Sequence, residues 1–283
     1  MVITMSITMR MTKRLRSLTV PILAALVTVF LVANLAPKSA FAAGPAGHEH
    51  DVPVLVELFT SEGCSSCPPA DALLGKLDEL QPIPGALAIV LSEHVDYWNH
   101  DGWKDAYSSS FFTARQEDYA HKFGLKSSFT PQIVIDGAAQ VNGSDVREVG
   151  SGIEAAEKRP TIPIRITSVS LANPKTLRVQ LEVDALPAES KAHKAGVFIA
   201  VALNHAQSHV AAGENKGRDI SHVAVVESIE KVGTVETGKN FVREVQLKLK
   251  TAADSQNLRV IAYIQGPDGG EVLGSALTKL PTN

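Results

Sequence analysis

Val54-Leu55-Val56-Glu57-Leu58-Phe59-Thr60, then Ser61-Glu62-Gly63, then Cys64-Ser65-Ser66-Cys67-Pro68-Pro69 decide how this chain is read. The first seven residues are apolar and β-branched, as a strand requires. After the Ser-Glu-Gly turn, Cys64 to Leu80 reads as a helix: Ala70, Leu73, Leu74, Leu77 and Leu80 recur at three- and four-residue spacing and form one apolar stripe. Pro68 and Pro69 fit its first turn, where backbone N–H groups lack intrahelical partners, and Pro82 and Pro84 end it. At the mouth of that helix the dipole and unpaired N–H groups favour a thiolate at Cys64, which makes it the nucleophile. Cys67, one turn on, is placed to resolve a mixed disulfide or to close the pair. These are the only two cysteines. A disulfide between them closes a short loop and is a weak staple in the chain-entropy picture, so a chemical role fits better than a structural one.

Reading outward, Ala86 to Leu91 is a continuous apolar run, as in a strand covered on both faces. Thr113 with Gln116 reads as a capping box for a second helix that Gly124 closes. Pro131 to Ile135 is a third strand, and Asp136-Gly137 is a hairpin signal leading into Ala138 to Asn142. Ser144 is a candidate cap for a last helix towards Lys158, stopped by Pro160. This order predicts an α/β unit. From Thr161 the period switches to two: Ile162, Ile164 and Ile166 alternate, then Leu177 to Val183, Val197 to Leu203, Val245 to Leu249 and Leu258 to Ile264. About seven short strands of this kind predict a mainly antiparallel β-sandwich. The expected division is residues 1–42 as a leader, 43–52 as a flexible start, 53–160 as the α/β domain and 161–283 as the β-sandwich-like domain.

The chain has 283 residues and a formal net charge of −3, unevenly distributed. Residues 1–42 hold five bases and no acid, which leaves 22 bases against 30 acids in the remainder. Nucleic-acid binding draws on Lys and Arg to displace counterions, so a nucleic-acid partner is not expected. The basic segment Arg10 to Arg16, the apolar stretch Leu18 to Ala36 and the small-x-small Ala40-Phe41-Ala42 read as a secretory signal cleaved after Ala42. An uncleaved anchor is the alternative reading of the apolar stretch. Export predicts a periplasmic or secreted protein, not membrane-bound after cleavage, where disulfides persist.

Glu93 to Trp103 follows the second strand and holds both tryptophans, two histidines and two aspartates. It reads either as a substrate-binding lip that includes His94, Asp96 and Trp98, with His94 or Asp96 relaying protons, or as an aromatic plug packing the following helix. His205, His209 and His222 do not match a local metal-ligand pattern and read as incidental loop histidines, and His48 and His50 as part of a flexible tail.

The cysteine motif and its surroundings, Val54 to about Lys158, resemble the thioredoxin fold. That resemblance implies a cis Thr130-Pro131 bond beside the cysteines, with Thr130 presenting polar backbone to an extended substrate. It also implies a buried acid on the strand before the motif, at Glu57, as proton acceptor for the second cysteine. A carboxylate beside Val56 and Leu58 suits proton exchange; a solvent-facing Glu57 is the alternative. Gly63 and Ser65-Ser66 depart from the usual thioredoxin residues, and neither serine adds positive charge. The run from Phe59 to Asp71, His94 to Trp103, Arg115-Gln116, Thr130-Pro131-Gln132, Gly213 to Arg218 and His222 together resemble a bacterial family of predicted secreted thioredoxin-like proteins carried as a domain of unknown function.

Two functions of different class are expected from these residues. One is an exported thiol–disulfide oxidoreductase whose redox-active disulfide is its only cofactor and whose partners are protein thiols, disulfides or a redox protein. The other is a dithiol protein that binds or delivers Cu(I) through Cys64 and Cys67, a soft ion matched to thiolates. A non-enzymatic partner-binding role is the third.

Overall fold

The computed structural model describes residues 51–100, 102–250 and 254–280. The expected leader, its cleavage site and the two histidines at 48 and 50 lie outside the described residues. Strand β1 (Val52–Thr60) runs parallel to β2 (Ala86–His94), in register from Val52↔Ala86 to Thr60↔His94. Helix α1 (Pro68–Leu80) joins them and ends where Gln81 turns into the left-handed region at φ 45°. Strand β3 (Gln132–Ile135) lies antiparallel to β1 and pairs in turn with β4 (Ala139–Asn142). Their turn is the expected one: Asp136 and Gly137 take φ 45° and 58°. A Cβ built on Gly137 would also lie 2.7 Å from the Gly270 carbonyl, so the position needs glycine twice over.

Helices α2 (Ser110–Lys122) and α3 (Val146–Ala156) complete the first half. Ser109 caps α2 and Asp145 caps α3, in place of the expected Thr113 and Ser144. Thr113 instead donates to the Asp96 carboxylate at 2.6 Å, so its hydroxyl is committed to a tertiary contact.

The second half does not form a separate sandwich beside an α/β thioredoxin-like domain, so the expected fold class does not hold. Strands β7 (Lys194–His209), β8 (Asp219–Glu236), β10 (Leu258–Gln265) and β11 (Val272–Lys279) extend the first sheet into one mixed eight-stranded sheet, in the order β11-β10-β7-β8-β2-β1-β3-β4. The join is a parallel pairing of β2 with β8 at Ser92↔Val225. Only β5 (Ile164–Asn173), β6 (Thr176–Val183) and β9 (Phe241–Lys248) form a second, three-stranded sheet. With eleven strands and three α-helices among the described residues, the architecture is mainly β. The physical reason for the difference is simple. A period of two records that one face of a strand is buried, and carries no information about which sheet the strand joins.

Three layers of packing follow. Val54, Val56, Leu58, Val90 and Ile133 on one face of the large sheet receive Ala70, Leu74 and Leu77 of α1 and Val149 and Ile153 of α3. The opposite face brings Leu55, Ile89 and Leu91 against Phe112 of α2 and against Ile261 and Tyr263 of β10. The small sheet packs Leu177, Val179 and Leu181 on Val197, Ile199, Val201 and Val260. A buried ion pair binds the halves together: Arg259 on β10, fully buried, donates to both Asp78 oxygens on α1 at 2.7 and 2.9 Å, and its Nε donates to Asn204 at 2.8 Å.

Candidate functional site

The turn after β1 is held by Ser61 from within and by Asp105, just past the lip, which accepts the Glu62 N–H at 3.0 Å. Gly63 N–H donates to the Ser61 hydroxyl at 3.1 Å, and Cys64 N–H donates to the Ser61 carbonyl at 3.2 Å. Helix α1 begins at Pro68, with Cys67 at its cap position, so Cys64 sits in the preceding turn and not in the helix as expected. Two prolines in the first turn remove two N–H groups from the helix mouth, which leaves the dipole with fewer donors to offer a Cys64 thiolate.

Cys64 and Cys67 form a disulfide with Cα atoms 5.4 Å apart, and both residues are 0% exposed. Several neighbours close around them. The Ser66 hydroxyl lies 3.4 Å from Cys64 Sγ and from the Thr130 carbonyl, to which it donates. The Thr130-Pro131 bond is cis, and Trp98 Nε1 donates to the Thr130 hydroxyl at 2.7 Å. A Cβ on Gly63 would lie 3.0 Å from the Trp98 Cβ and carbonyl oxygen, which explains why no larger side chain precedes Cys64. The structure therefore brings Cys64, Cys67, Thr130, Pro131 and Trp98 together.

From the other half of the chain, the loop between β7 and β8 reaches the same turn. Asn215, buried, donates through Nδ2 to the carbonyls of Glu62 and Cys64, both at 2.9 Å. Exposed Glu214 accepts the Ser65 N–H at 3.0 Å, and the hydrogen bonds from Ser65 hold its carboxyl below the usual carboxylate range.

Glu62, two residues before Cys64, and Asp71, four residues after Cys67, belong to a buried cluster of acids and imidazoles. His94, at the end of β2, pairs through Nδ1 with Asp105 at 2.7 Å, and its ring meets that of His222 on β8 edge-on at 4.6 Å. His222 Nδ1 is 3.4 Å from Asp71 of α1, and its Nε2 is 3.9 Å from Glu62. Asp71 also accepts the Thr60 hydroxyl at 3.0 Å, and Glu62 accepts the Trp103 indole N–H at 2.8 Å. All five ionisable groups are buried, and Glu62 Oε1, Asp71 Oδ2, His94 Nε2 and both His222 nitrogens have no hydrogen-bond partner in the protein. Burial works against the charged His94 ring. Asp105 first, with Asp71 and Glu62, outweighs it and holds His94 above its ordinary value. Burial also pushes Asp105 up, but the His94 partner and the Glu62 and Tyr107 N–H groups bring it below the ordinary range. Among the described residues no group of three His, Cys, Asp or Glu side chains is arranged to hold a metal ion.

The structure places two expected residues elsewhere. Glu57 faces away from α1, on the side of β1 that carries Leu55 and Phe59. There Arg115 donates to it through Nε at 2.9 Å and again through Nη2, and Tyr119 donates at 2.8 Å. It is buried, as one expectation had it, but it is engaged by α2 and not brought to the cysteines. Glu93 shares this pocket, with Arg115 Nε 3.5 Å away; burial pushes its carboxyl well up, and Arg115 offsets this only in part. Asp96 is fixed to Thr113 of α2 and anchors the lip instead of joining the cluster. The residues that sequence reasoning missed are Asp71, Asp105, Glu214 and Asn215, while His222 was noted without a role. The last three come from a segment some 150 residues beyond the cysteines, and only the resemblance at Gly213 to Arg218 and His222 marked it.

Fold and site together define a mainly β protein of an eight-stranded mixed sheet and a three-stranded sheet, with a closed Cys-x-x-Cys disulfide in a segment that also carries buried ionisable groups. Residues 55–265 match the family described as a protein of unknown function (DUF1223), and the chain belongs to that family. A crystal structure of a protein from Agrobacterium tumefaciens is similar, with 27% identity, a TM-score of 0.63, and 83% of this chain and 98% of that one covered. HBP35 of Porphyromonas gingivalis is similar in fold at 14% identity and a TM-score of 0.60, covering 83% of this chain and 77% of that one. No curated protein matches the sequence.

Proposed function

We propose that this chain is an exported thiol–disulfide exchange protein whose redox centre is Cys64–Cys67. The observation that carries the reading is that the turn and helix holding the disulfide also supply Glu62 and Asp71 to a buried cluster of two imidazoles and three carboxylates, five of whose polar atoms have no hydrogen-bond partner in the protein. A lone structural staple has no use for such a cluster, whereas thiol chemistry must move protons. Sequence supports the rest: a leader for export, and a Cys-x-x-Cys ahead of a helix facing Thr130-Pro131, features shared with the chemistry of thioredoxin-like proteins.

A substrate thiolate attacks Cys64 Sγ, forming a mixed disulfide, and the Cys64–Cys67 bond breaks with its electron pair on Cys67 Sγ. This thiolate takes up a proton, for which the His94 ring, held above its ordinary value by Asp105, is the proposed reservoir. A second substrate thiolate then attacks the substrate's own sulfur in the mixed disulfide and releases Cys64, which takes up a proton. The substrate dithiol is oxidised by two electrons, and the protein disulfide is reduced. Run backwards, the same steps reduce a substrate disulfide. Protein thiols are the partner class.

Trapping tests the reading. Cys67→Ser leaves Cys64 without its resolving partner, so incubation with a peptide disulfide should accumulate a covalent peptide adduct at Cys64, visible by intact mass. No adduct from that variant, together with tight Cu(I) uptake by the reduced wild-type protein, would instead favour the copper-binding alternative.

A further inference from the structure

Both cysteines are 0% exposed, yet exchange requires in-line approach of a third sulfur to Cys64. The site must open, and the hydrogen bonds around it say where. The loop of residues 210–218 is closed at its base by Val210 N–H to the Arg218 carbonyl at 2.9 Å and Gly217 N–H to the Val210 carbonyl at 2.7 Å. At its tip, Asn215 is saturated. Its two amide hydrogens hold the carbonyls of Glu62 and Cys64, and its Oδ1 accepts from Arg218 at 3.1 Å. Glu214 holds the N–H of Ser65. Three backbone polar atoms of two peptide groups beside the nucleophile, Glu62–Gly63 and Cys64–Ser65, are thus gripped by two side chains from the other half of the chain.

We propose that Glu214 and Asn215 are the specificity-determining clamp of this site. Closed, they hold the Glu62–Ser65 turn over the disulfide against small thiols. A polypeptide substrate opens it by bringing its own carbonyl or carboxylate acceptor to the Ser65 N–H in place of Glu214. The Ser65 N–H is the group such a substrate can compete for, because its present acceptor sits on an exposed side chain whereas Asn215 is buried. A small thiol without a carbonyl or carboxylate acceptor cannot make that exchange. The clamp itself stands on geometry; its use in selecting substrates rests on the thiol-exchange reading above.

The test reads access and not turnover. A water-soluble phosphine reduces an exposed disulfide to two thiols, itself becoming the phosphine oxide, with water supplying the oxygen and both protons. Its rate on intact protein therefore reports how often the clamp is open. Glu214→Ala, at an exposed position, should raise that rate roughly fivefold, the opening equilibrium expected from losing one ordinary hydrogen bond. Glu214→Gln keeps an acceptor and should restore a rate close to wild type, a rescue that a general loosening of the fold does not predict. Asn215→Ala removes two donors and should accelerate reduction more than Glu214→Ala does. Arg165→Ala, which removes an exposed ion pair with Asp184 on the small sheet, serves as the control. Equal rates in wild type, Glu214→Ala and Asn215→Ala would overturn the clamp, as would an equal acceleration by Arg165→Ala. If Asn215→Ala unfolds, the Glu214 pair still decides. Should the variants open while the wild-type protein never exchanges with peptides, the clamp stands and the oxidoreductase reading falls; the converse result sinks only the clamp.

Discussion

Asp78→Ala would strip the carboxylate from a guanidinium that has no route to solvent. Arg259 is 0% exposed, and two of its three side-chain hydrogen bonds, at 2.7 and 2.9 Å, go to Asp78. What is left is Asn204 at 2.8 Å. Breaking a buried pair in this way costs about 3–5 kcal/mol, mostly because the remaining charge is stranded. For a chain of this size that corresponds to about 6–20 °C in Tm. The double variant Asp78→Leu/Arg259→Met removes both charges and should recover most of the loss, because apolar replacements of buried pairs are often neutral. The assay is urea denaturation followed by tryptophan fluorescence and far-ultraviolet circular dichroism. Trp98 and Trp103 are the only tryptophans and both lie in the first half, whereas most strands lie in the second. Since α1 and β10 are tied directly and one sheet crosses the chain, both signals should unfold together, in wild type and variant alike. A loss below about 1 kcal/mol, far under the cost of a stranded buried charge, or a fluorescence transition separated from the dichroism transition, would refute the coupling of the halves.

Further outcomes follow from the site and its surroundings. Gly63→Ala forces a Cβ to within 3.0 Å of Trp98 and should cost about 1–3 kcal/mol as overpacking, with the Trp98 fluorescence shifted; an unchanged spectrum and midpoint would contradict the packing described. His94 is held above its ordinary value, so its pairing adds stability that is complete below about pH 6.5 and fades as pH rises through the folded value. Asp105, held low, contributes above its ordinary range and fades on acidification. Denaturation midpoints against pH should therefore lose part of their alkaline decline in His94→Gln, and an unaltered slope would count against the pair. Glu93 is pushed up by burial, so its ionisation opposes folding as pH rises above about 4.3. Glu93→Gln should then be more stable than wild type at pH 7 by a margin that closes towards pH 4, as differential scanning calorimetry at the two pH values would show.

The strand before the cysteines, the helix stripe after them and the Asp136-Gly137 turn were legible because each is set by neighbours in sequence. Hydrophobic period and turn chemistry are local signals. The face of β1 that receives α1 was not legible. Val54, Leu55, Val56, Leu58 and Phe59 are apolar on both sides, so alternation put Glu57 in the layer of Phe59 without saying which layer the cysteine helix covers. The second half was read as strands correctly in large part, but a strand pairs through its backbone, and the backbone is the same in every sequence. Nothing near Val225 announces that it meets Ser92 across the sheet. The polar grip of Asn215 and the insertion of His222 between Glu62 and Asp71 follow from that pairing. They were out of reach for the same reason.

Chemical competence of the two sulfurs can be read in a single experiment: the equilibrium between the purified protein and glutathione buffers of graded potential, scored by mass shift after alkylation of unfolded samples. A reversible two-electron transition between the oxidised and reduced pair, at a potential within the span of known exchange proteins (roughly −120 to −270 mV), is the expected result. A disulfide that stays closed in every buffer, even with the clamp variants, would mark Cys64 and Cys67 as an inert structural link and remove the basis of the proposed activity.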